Sequence, residues 1–232
     1  MAGIGFQLHK LIEDESFLNK AKAYIFASII TSGPWILSII CLALVGALSG
    51  IFLQSGKFSI ISISIVYTFA FSLILTGAIQ FMLTRYLADK EYLKQKNKML
   101  SALISALLIT VTLSSIVSII WYYYIEVSLF YKIIGVILFV VICSIWTMMD
   151  FLSCSKNYTG IIVSFFIGSL MSVLASPLLG LYSGIEGAFL GYTVGQVFIL
   201  SMLLFYIAKE FPYNGILNKE FLTYFFKVPY IY

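Results

Sequence analysis

The chain has 232 residues, of which 61% are hydrophobic and only 10% are charged. Soluble domains carry about 25% charged residues, so this composition argues against a soluble protein and indicates an integral membrane protein. The net charge of +4 does not require a nucleic-acid partner, because basic residues in the loops of a membrane protein account for it.

The first 22 residues form a mixed polar and apolar segment. Helical periodicity places Ile4, Leu8, Leu11, Ile12 and Leu18 on one side, which predicts a cytoplasmic amphipathic helix from Ile4 to Lys22 within the N-terminal segment 1–22. A cleavable signal peptide is not expected, since this segment contains acidic residues and the apolar window after it is too long.

Six windows without any charge follow, and a bilayer-spanning helix needs about 20 apolar residues. The windows are much longer than the ~10-residue alternating segments of a membrane barrel. The sequence therefore predicts an all-α membrane domain at residues 23–208. Its six transmembrane helices are predicted at about residues 24–49, 60–84, 99–125, 132–155, 160–183 and 187–208.

The first predicted helix contains the stretch "TSGPW", residues 31–35, near the middle of the bilayer. Pro34 removes a backbone donor and clashes with the carbonyl four residues earlier, while Gly33 lets the backbone bend. Such a bend is either an ordinary proline kink in a packed helix or a helix break beside a transport path. The candidates for a transport path here are Thr31, Ser32, Gly33, Pro34 and Trp35.

Few other polar groups lie inside the predicted spans. Gln80 and Gln196 are uncharged candidates for the path, and Asp150 is the ionisable residue that is most embedded. The single histidine, His9, precedes the first helix, and no pairing of nucleophile and base or set of metal ligands can be placed at one depth. We therefore expect no enzyme, no metal site and no cofactor.

The last predicted helix carries Gly187, Gly191 and Gly195 at intervals of four residues, so that they share one face. Small residues at this spacing let two membrane helices approach closely. The glycines are expected to pack helices together; a surface on which helices slide is the alternative.

The basic residues set the predicted orientation. All but two of the 14 lysines and arginines fall on one side of the six spans, the exceptions being Lys57 and Lys132. The positive-inside rule then places both termini in the cytoplasm, with residues 209–232 as a cytoplasmic tail and the cytoplasmic membrane as the location.

Four stretches, "MAGIGFQLHKL", "SGPWILSI", "LTRYLADKEY" and "FLSCSKNY", together resemble the PelG family. That family comprises transporters of the Pel exopolysaccharide system, related to the multidrug/oligosaccharidyl-lipid/polysaccharide flippases. The resemblance implies one six-helix half of a twelve-helix MATE-like transporter, with residues 209–232 leading toward a seventh helix. The positions that match the motifs of the family are Gly33, Pro34, Trp35, Thr84, Arg85 and Asp89. The resemblance implies no role for them, and the last three lie in a predicted cytoplasmic loop.

The resemblance also implies a function and partners. It implies export of an amino-sugar polymer across the cytoplasmic membrane, with a cytosolic glycosyltransferase and membrane scaffold subunits, and a second transporter half or another subunit to complete the cavity. Two alternatives are an ion-coupled exporter of drugs or small solutes, which would use Asp150, and a scaffold that transports nothing. The basic loop after the second predicted helix is read as a topology signal that also touches anionic lipid, or as a dock for a partner.

Overall fold

The computed structural model describes residues 32–48, 55–95, 97–155 and 157–211, together with Phe221, Thr223 and Phe225. The described part is helical. Its helices are α1 (Ser32–Leu48), α2 (Ser55–Tyr92), α3 (Asn97–Tyr123), α4 (Leu129–Cys154) and α5 (Tyr158–Glu210).

Helices α2 to α5 are each long and apolar enough to cross a membrane, whereas the described part of α1 is shorter. An α-helix rises 1.5 Å per residue, so even the 26 residues of α4 cover about 39 Å, more than the ~30 Å of the hydrocarbon layer. Hydrophobic side chains such as Ile39, Ile74 and Ile116 point outward along these helices. The described residues thus form a helical bundle with four long apolar helices, as is typical of a membrane protein.

Helix α5 has 53 residues but is folded back on itself at Gly184, which has φ 62° and ψ −133°. This backbone conformation is open to glycine and strained for residues with a Cβ atom. The two limbs, residues 158–183 (α5a) and 185–210 (α5b), run antiparallel. Ser172 Oγ donates to the carbonyl of Tyr192 at 3.1 Å, and Ser176 Oγ donates to that of Ala188 at 2.8 Å. The turn falls between the last two predicted spans.

Helix α4 is the centre of the bundle. It packs against α2, α3 and α5, and 61% of its most apolar stretch is buried, against 28–39% for the other three long helices. Its buried side chains run without a gap from Val141 to Met148. A helix that is apolar on all sides and surrounded by other helices is expected to occupy this position.

Helix α2 continues beyond its predicted end near residue 84. The structure places Thr84, Arg85 and Asp89 inside the helix, which runs on to Tyr92, and not in a loop. The predicted boundary followed the first charged residues. Helical geometry persists because Tyr86 and Leu87 are still buried in the core. The turn to α3 comes after it, where Lys94 has a positive φ of 56°.

The two ends of the bundle differ in composition. The end with the α2–α3 turn, residues 90–98, is called the lysine end, and the end with Tyr122, Tyr123 and Tyr124 is called the tyrosine end. At the lysine end Phe221 is fully buried, with its ring centroid 5.2 Å from that of Tyr86. This part of the tail therefore packs on the core. The predicted amphipathic segment 1–22, Thr31 and most of the tail lie outside the described residues.

Candidate functional site

Two tryptophans from different helices stack inside the bundle. Trp35 of α1 lies on Trp146 of α4, with 4.7 Å between ring centroids and 23° between ring planes. Phe69 of α2 contacts the same indole edge-on, with 6.1 Å between centroids. Trp146 is buried and donates its Nε1–H to Ser72 Oγ at 2.9 Å, whereas Trp35 is 37% exposed. The indole of Trp146 is thus fixed by a hydrogen bond, and the partly exposed indole of Trp35 packs on it.

Helix α1 begins, in its described part, two residues before Pro34. Gly33 and Pro34 are buried, and Ser38 Oγ donates to the Pro34 carbonyl at 2.9 Å. Buried Gly33 and Pro34 directly precede Trp35, the residue that stacks on Trp146. The bend predicted at Pro34 involves residues upstream, which lie outside the described residues.

A cavity of about 200 Å³ opens between α1 and α2 beside Trp35. We call it the α1–α2 cavity; its described lining residues are Trp35, Ser38, Ile39, Leu42, Ile65, Val66, Phe69 and Tyr192. Tyr192 belongs to α5b and is fully buried, and its hydroxyl has no hydrogen-bond partner among the described residues. A buried hydroxyl without a partner costs about 1–3 kcal/mol, so Tyr192 carries an unmet polar group in the packed interior.

A larger cleft of about 450 Å³ lies on the other side of α2, toward the tyrosine end. This α2–α3 cleft has aromatic walls from Tyr67, Phe71, Trp121 and Tyr122. Its hydroxyl groups come from Ser64, Thr68 and Ser118, which also line it. Ser64 Oγ accepts a hydrogen bond from the Tyr131 hydroxyl at 2.9 Å. Helix α2 therefore has an aromatic recess on each flank.

The serine-rich face of α3 is mostly a packing surface. Ser105, Thr110 and Ser114 are buried, and their hydroxyls donate to backbone carbonyls of α3 itself. The Thr110 hydroxyl also lies 3.2 Å from that of Thr147 on α4, which ties the two helices together. Ser118, which lines the cleft, is also buried and donates to the carbonyl of Ser115 at 3.2 Å, so these hydroxyls are all satisfied within the bundle.

The remaining predicted path residues do not gather at one place. Gln80 is half-buried and donates to Thr76 Oγ1 within α2 at 3.2 Å, and Gln196 is buried in α5b. Asp150 is half-buried near the lysine end of α4, one turn beyond Trp146. The carboxylate has no hydrogen bond or ion pair with another described residue. Of the predicted candidates, Gly33, Pro34 and Trp35 are the ones that join the tryptophan site.

The three glycines of α5b all face α5a. A Cβ atom on Gly187 would collide with the carbonyl of Leu179, one on Gly191 with the carbonyl of Ala175, and one on Gly195 with Ser172. The limbs therefore touch through their backbones, in the packing role that the spacing predicts. At the lysine end Arg85 and Asp89 are exposed on α2, and half-buried Thr84 lies near the thiol of Cys154.

Sequence reasoning missed Trp146, Ser72, Phe69 and Tyr192 as members of the site. One signal was present for Trp146: it lies well inside its span, away from the rims where tryptophan is usual in membrane proteins. A buried indole N–H needs an acceptor, which predicts a polar neighbour such as Ser72. Which helix would supply that neighbour depends on how the helices pack, and the pattern of a single helix does not contain this information.

One family model matches residues 1–232, the whole chain; it is described as PelG, "Putative exopolysaccharide Exporter (EPS-E)". No curated protein and no solved structure matches the chain.

Proposed function

Because the chain belongs to the PelG family, we propose that it forms part of a transporter that exports an exopolysaccharide across the cytoplasmic membrane. The observation that carries this proposal is the family match over all 232 residues. In this proposal α1, α2, α3, α4 and the two limbs of α5 are six membrane spans, with the lysine end and both termini in the cytoplasm. The proposed protein moves its substrate and performs no enzymatic chemistry.

The tryptophan site supports a saccharide substrate. Sugar rings present C–H faces, which pack on aromatic rings, and hydroxyl edges, which need polar partners. Trp35 is held in place by Trp146 and remains partly exposed, and aromatic recesses flank α2 on both sides. Ligand sites in proteins are typically apolar and aromatic with a few placed polar groups, as these recesses are.

The same proposal includes partners. A six-helix bundle of this kind is one half of a twelve-helix, flippase-like assembly, and the second half or another subunit completes the passage. A cytosolic glycosyltransferase and membrane scaffold subunits supply and hold the growing polymer. Exposed Arg85 and Asp89, near the lysine end of α2, lie on the surface that such a cytosolic subunit would reach.

The test is polymer export in cells, with Pro34→Ala as the informative variant. Deleting the gene should abolish surface polymer, and restoring the parent chain should bring it back. Pro34→Ala should reduce export strongly while the protein stays in the membrane, because it frees the backbone that holds Trp35 in place. Unchanged export after gene deletion would refute the proposed function. Normal export with Pro34→Ala would instead favour a scaffold, whose helix interiors tolerate substitution.

An ion-coupled exporter is the second candidate, and half-buried Asp150 is the observation that favours it. We expect Asp150→Asn to leave polymer export near the parent level, because asparagine keeps the size of the side chain and removes its charge. Glu126→Gln, at an exposed position of the tyrosine end, is the matched control. Loss of export with Asp150→Asn alone would mean that the carboxylate binds the coupling ion and that transport is driven by an ion gradient.

A further inference from the structure

We propose that the α2–α3 cleft binds one anionic phospholipid, whose acyl chains lie in apolar recesses and whose headgroup lies at Lys132. This inference goes beyond the proposed function, which concerns the exported polymer. It starts from a second recess, of about 390 Å³, which shares Val117, Trp121 and Ile125 with the cleft. Trp121 therefore lines two neighbouring recesses, and a diacyl lipid has two chains to place.

The part of the cleft that α2 forms is an exposed apolar stripe. Its residues recur every three or four positions, so they share one face of the helix, and all of them are exposed: Ile60, Ile63, Tyr67, Phe71 and Ile74. From Ile60 to Ile74 the helix rises about 21 Å. One leaflet is about half of the ~30 Å hydrocarbon layer, so the stripe is long enough to line an acyl chain over its whole depth.

The hydroxyl groups of the cleft already have partners inside the bundle. Ser64 Oγ accepts from the Tyr131 hydroxyl at 2.9 Å, and Thr68 Oγ1 donates to the carbonyl of Ser64 at 2.7 Å. Ser118 Oγ donates to the carbonyl of Ser115 at 3.2 Å. A hydrocarbon chain needs no hydrogen bonds, so it can cover these groups without leaving any of them unpaired. The cleft therefore suits an acyl chain.

A cation lies beside the cleft at the tyrosine end. Lys132 is half-buried in the first turn of α4, and its Nζ donates at 3.5 Å to the carbonyl of Tyr123, which follows Tyr122 of the cleft wall. The described carboxylates at this end are Glu126 and Glu186. Neither forms an ion pair with Lys132, and Glu186 accepts a hydrogen bond from a serine in the loop before α4. An ammonium has three donor hydrogens, so the phosphate of an anionic lipid can pair with it, at the depth where tryptophan and tyrosine usually meet headgroups.

Fluorescence quenching on the full chain can locate the lipid. Bromine atoms on an acyl chain quench tryptophan emission only at close range, and Trp121 lines both recesses. The chain is placed in phosphatidylcholine nanodiscs that contain a rising fraction of phosphatidylglycerol with brominated chains. We expect saturable quenching of the emission that Trp121→Phe removes. The same fraction of brominated phosphatidylcholine, which has no net charge, should quench that emission less and without saturation.

Two lysine variants test the headgroup contact. Lys132→Gln should raise the phosphatidylglycerol fraction at half-maximal quenching about fivefold, the factor that corresponds to ~1 kcal/mol per basic residue near an anionic surface. Lys209→Gln, at an exposed position of the lysine end, is the matched control and should leave that fraction unchanged. Equal quenching by the two brominated lipids, or equal half-maximal fractions for Lys132→Gln and the parent, would overturn the site. Absence of quenching at Trp121 with either lipid would overturn it as well, because another segment or subunit would then cover the cleft.

Discussion

Leucine in place of Gly191 is expected to abolish the folded state. The Cβ atom alone would lie 2.5 Å from Cα of Ser176 and would also collide with the backbone carbonyl of Ala175, a separation that real Cβ atoms do not show. Backbone atoms of α5a cannot move aside as a flexible side chain can, so the two limbs must separate. Overpacking usually costs about 1–3 kcal/mol, and a leucine forced between two backbones should exceed that range.

Separation of the limbs would also break the hydrogen bonds that cross between them. Ser172 and Ser176 reach the carbonyls of Tyr192 and Ala188 only because the backbones are so close. Carbonyls that accept such bonds inside a bilayer have no water to replace the lost donor. The loss of close packing and the loss of these bonds therefore act together.

Size-exclusion chromatography of the detergent-solubilised variant measures this outcome. The monodisperse peak of the parent should be lost with Gly191→Leu. Gly77→Leu is the matched control, because a Cβ atom on exposed Gly77 meets nothing within 4 Å. A Gly191→Leu protein as monodisperse as Gly77→Leu would contradict the close contact of α5a and α5b.

The glycine contact shows which feature of helix packing a sequence pattern predicts and which it does not. The spacing of Gly187, Gly191 and Gly195 predicted a helix-packing face, and each glycine does lie against a neighbouring backbone. The pattern could not say which helix would be the neighbour. The answer came from the turn at Gly184, whose positive φ sends α5b back along α5a.

The ends of helices were predicted less well than their presence. Windows free of charge located the apolar spans, but the end of α2 was placed near residue 84, and the helix runs on to Tyr92. A charged residue ends the apolar window without ending the helix, because backbone hydrogen bonds continue as long as the next turn is packed. Tyr86 and Leu87, buried after Arg85, supply that packing.

Of the candidate site, only the residues that are adjacent to Pro34 in the sequence were predicted. The stretch TSGPW made Trp35 a candidate, because a proline inside an apolar window is visible in the sequence alone. The partners of Trp35 come from α2, α4 and α5b, at least 30 residues away along the chain. Contacts at such separations depend on which helix faces pair, which hydrophobic periodicity does not specify for helices that are apolar all round.

Alanine in place of Trp146 is expected to destabilise the bundle more than any other substitution of a single aromatic side chain in the tryptophan site. Trp146 is buried on α4, and its removal would leave a cavity among α1, α2 and α4. Replacing a buried tryptophan by alanine costs about 3–5 kcal/mol. For a protein of 150–250 residues, each kcal/mol lowers the melting temperature by about 2–4 °C, which predicts a decrease of roughly 6–20 °C.

Two variants show which property of Trp146 matters. Trp146→Phe keeps an aromatic ring beneath Trp35 and loses the N–H that bonds to Ser72, so its melting temperature should fall between those of the parent and of Trp146→Ala. Trp121→Ala is the matched control, because Trp121 lies at the α2–α3 cleft with 48% of its surface exposed. Thermal unfolding in nanodiscs gives the melting temperatures, and polymer export in cells gives the activity. An equal decrease for Trp121→Ala and Trp146→Ala would mean that Trp146 is not the central support, and that the stacked pair does not organise the site.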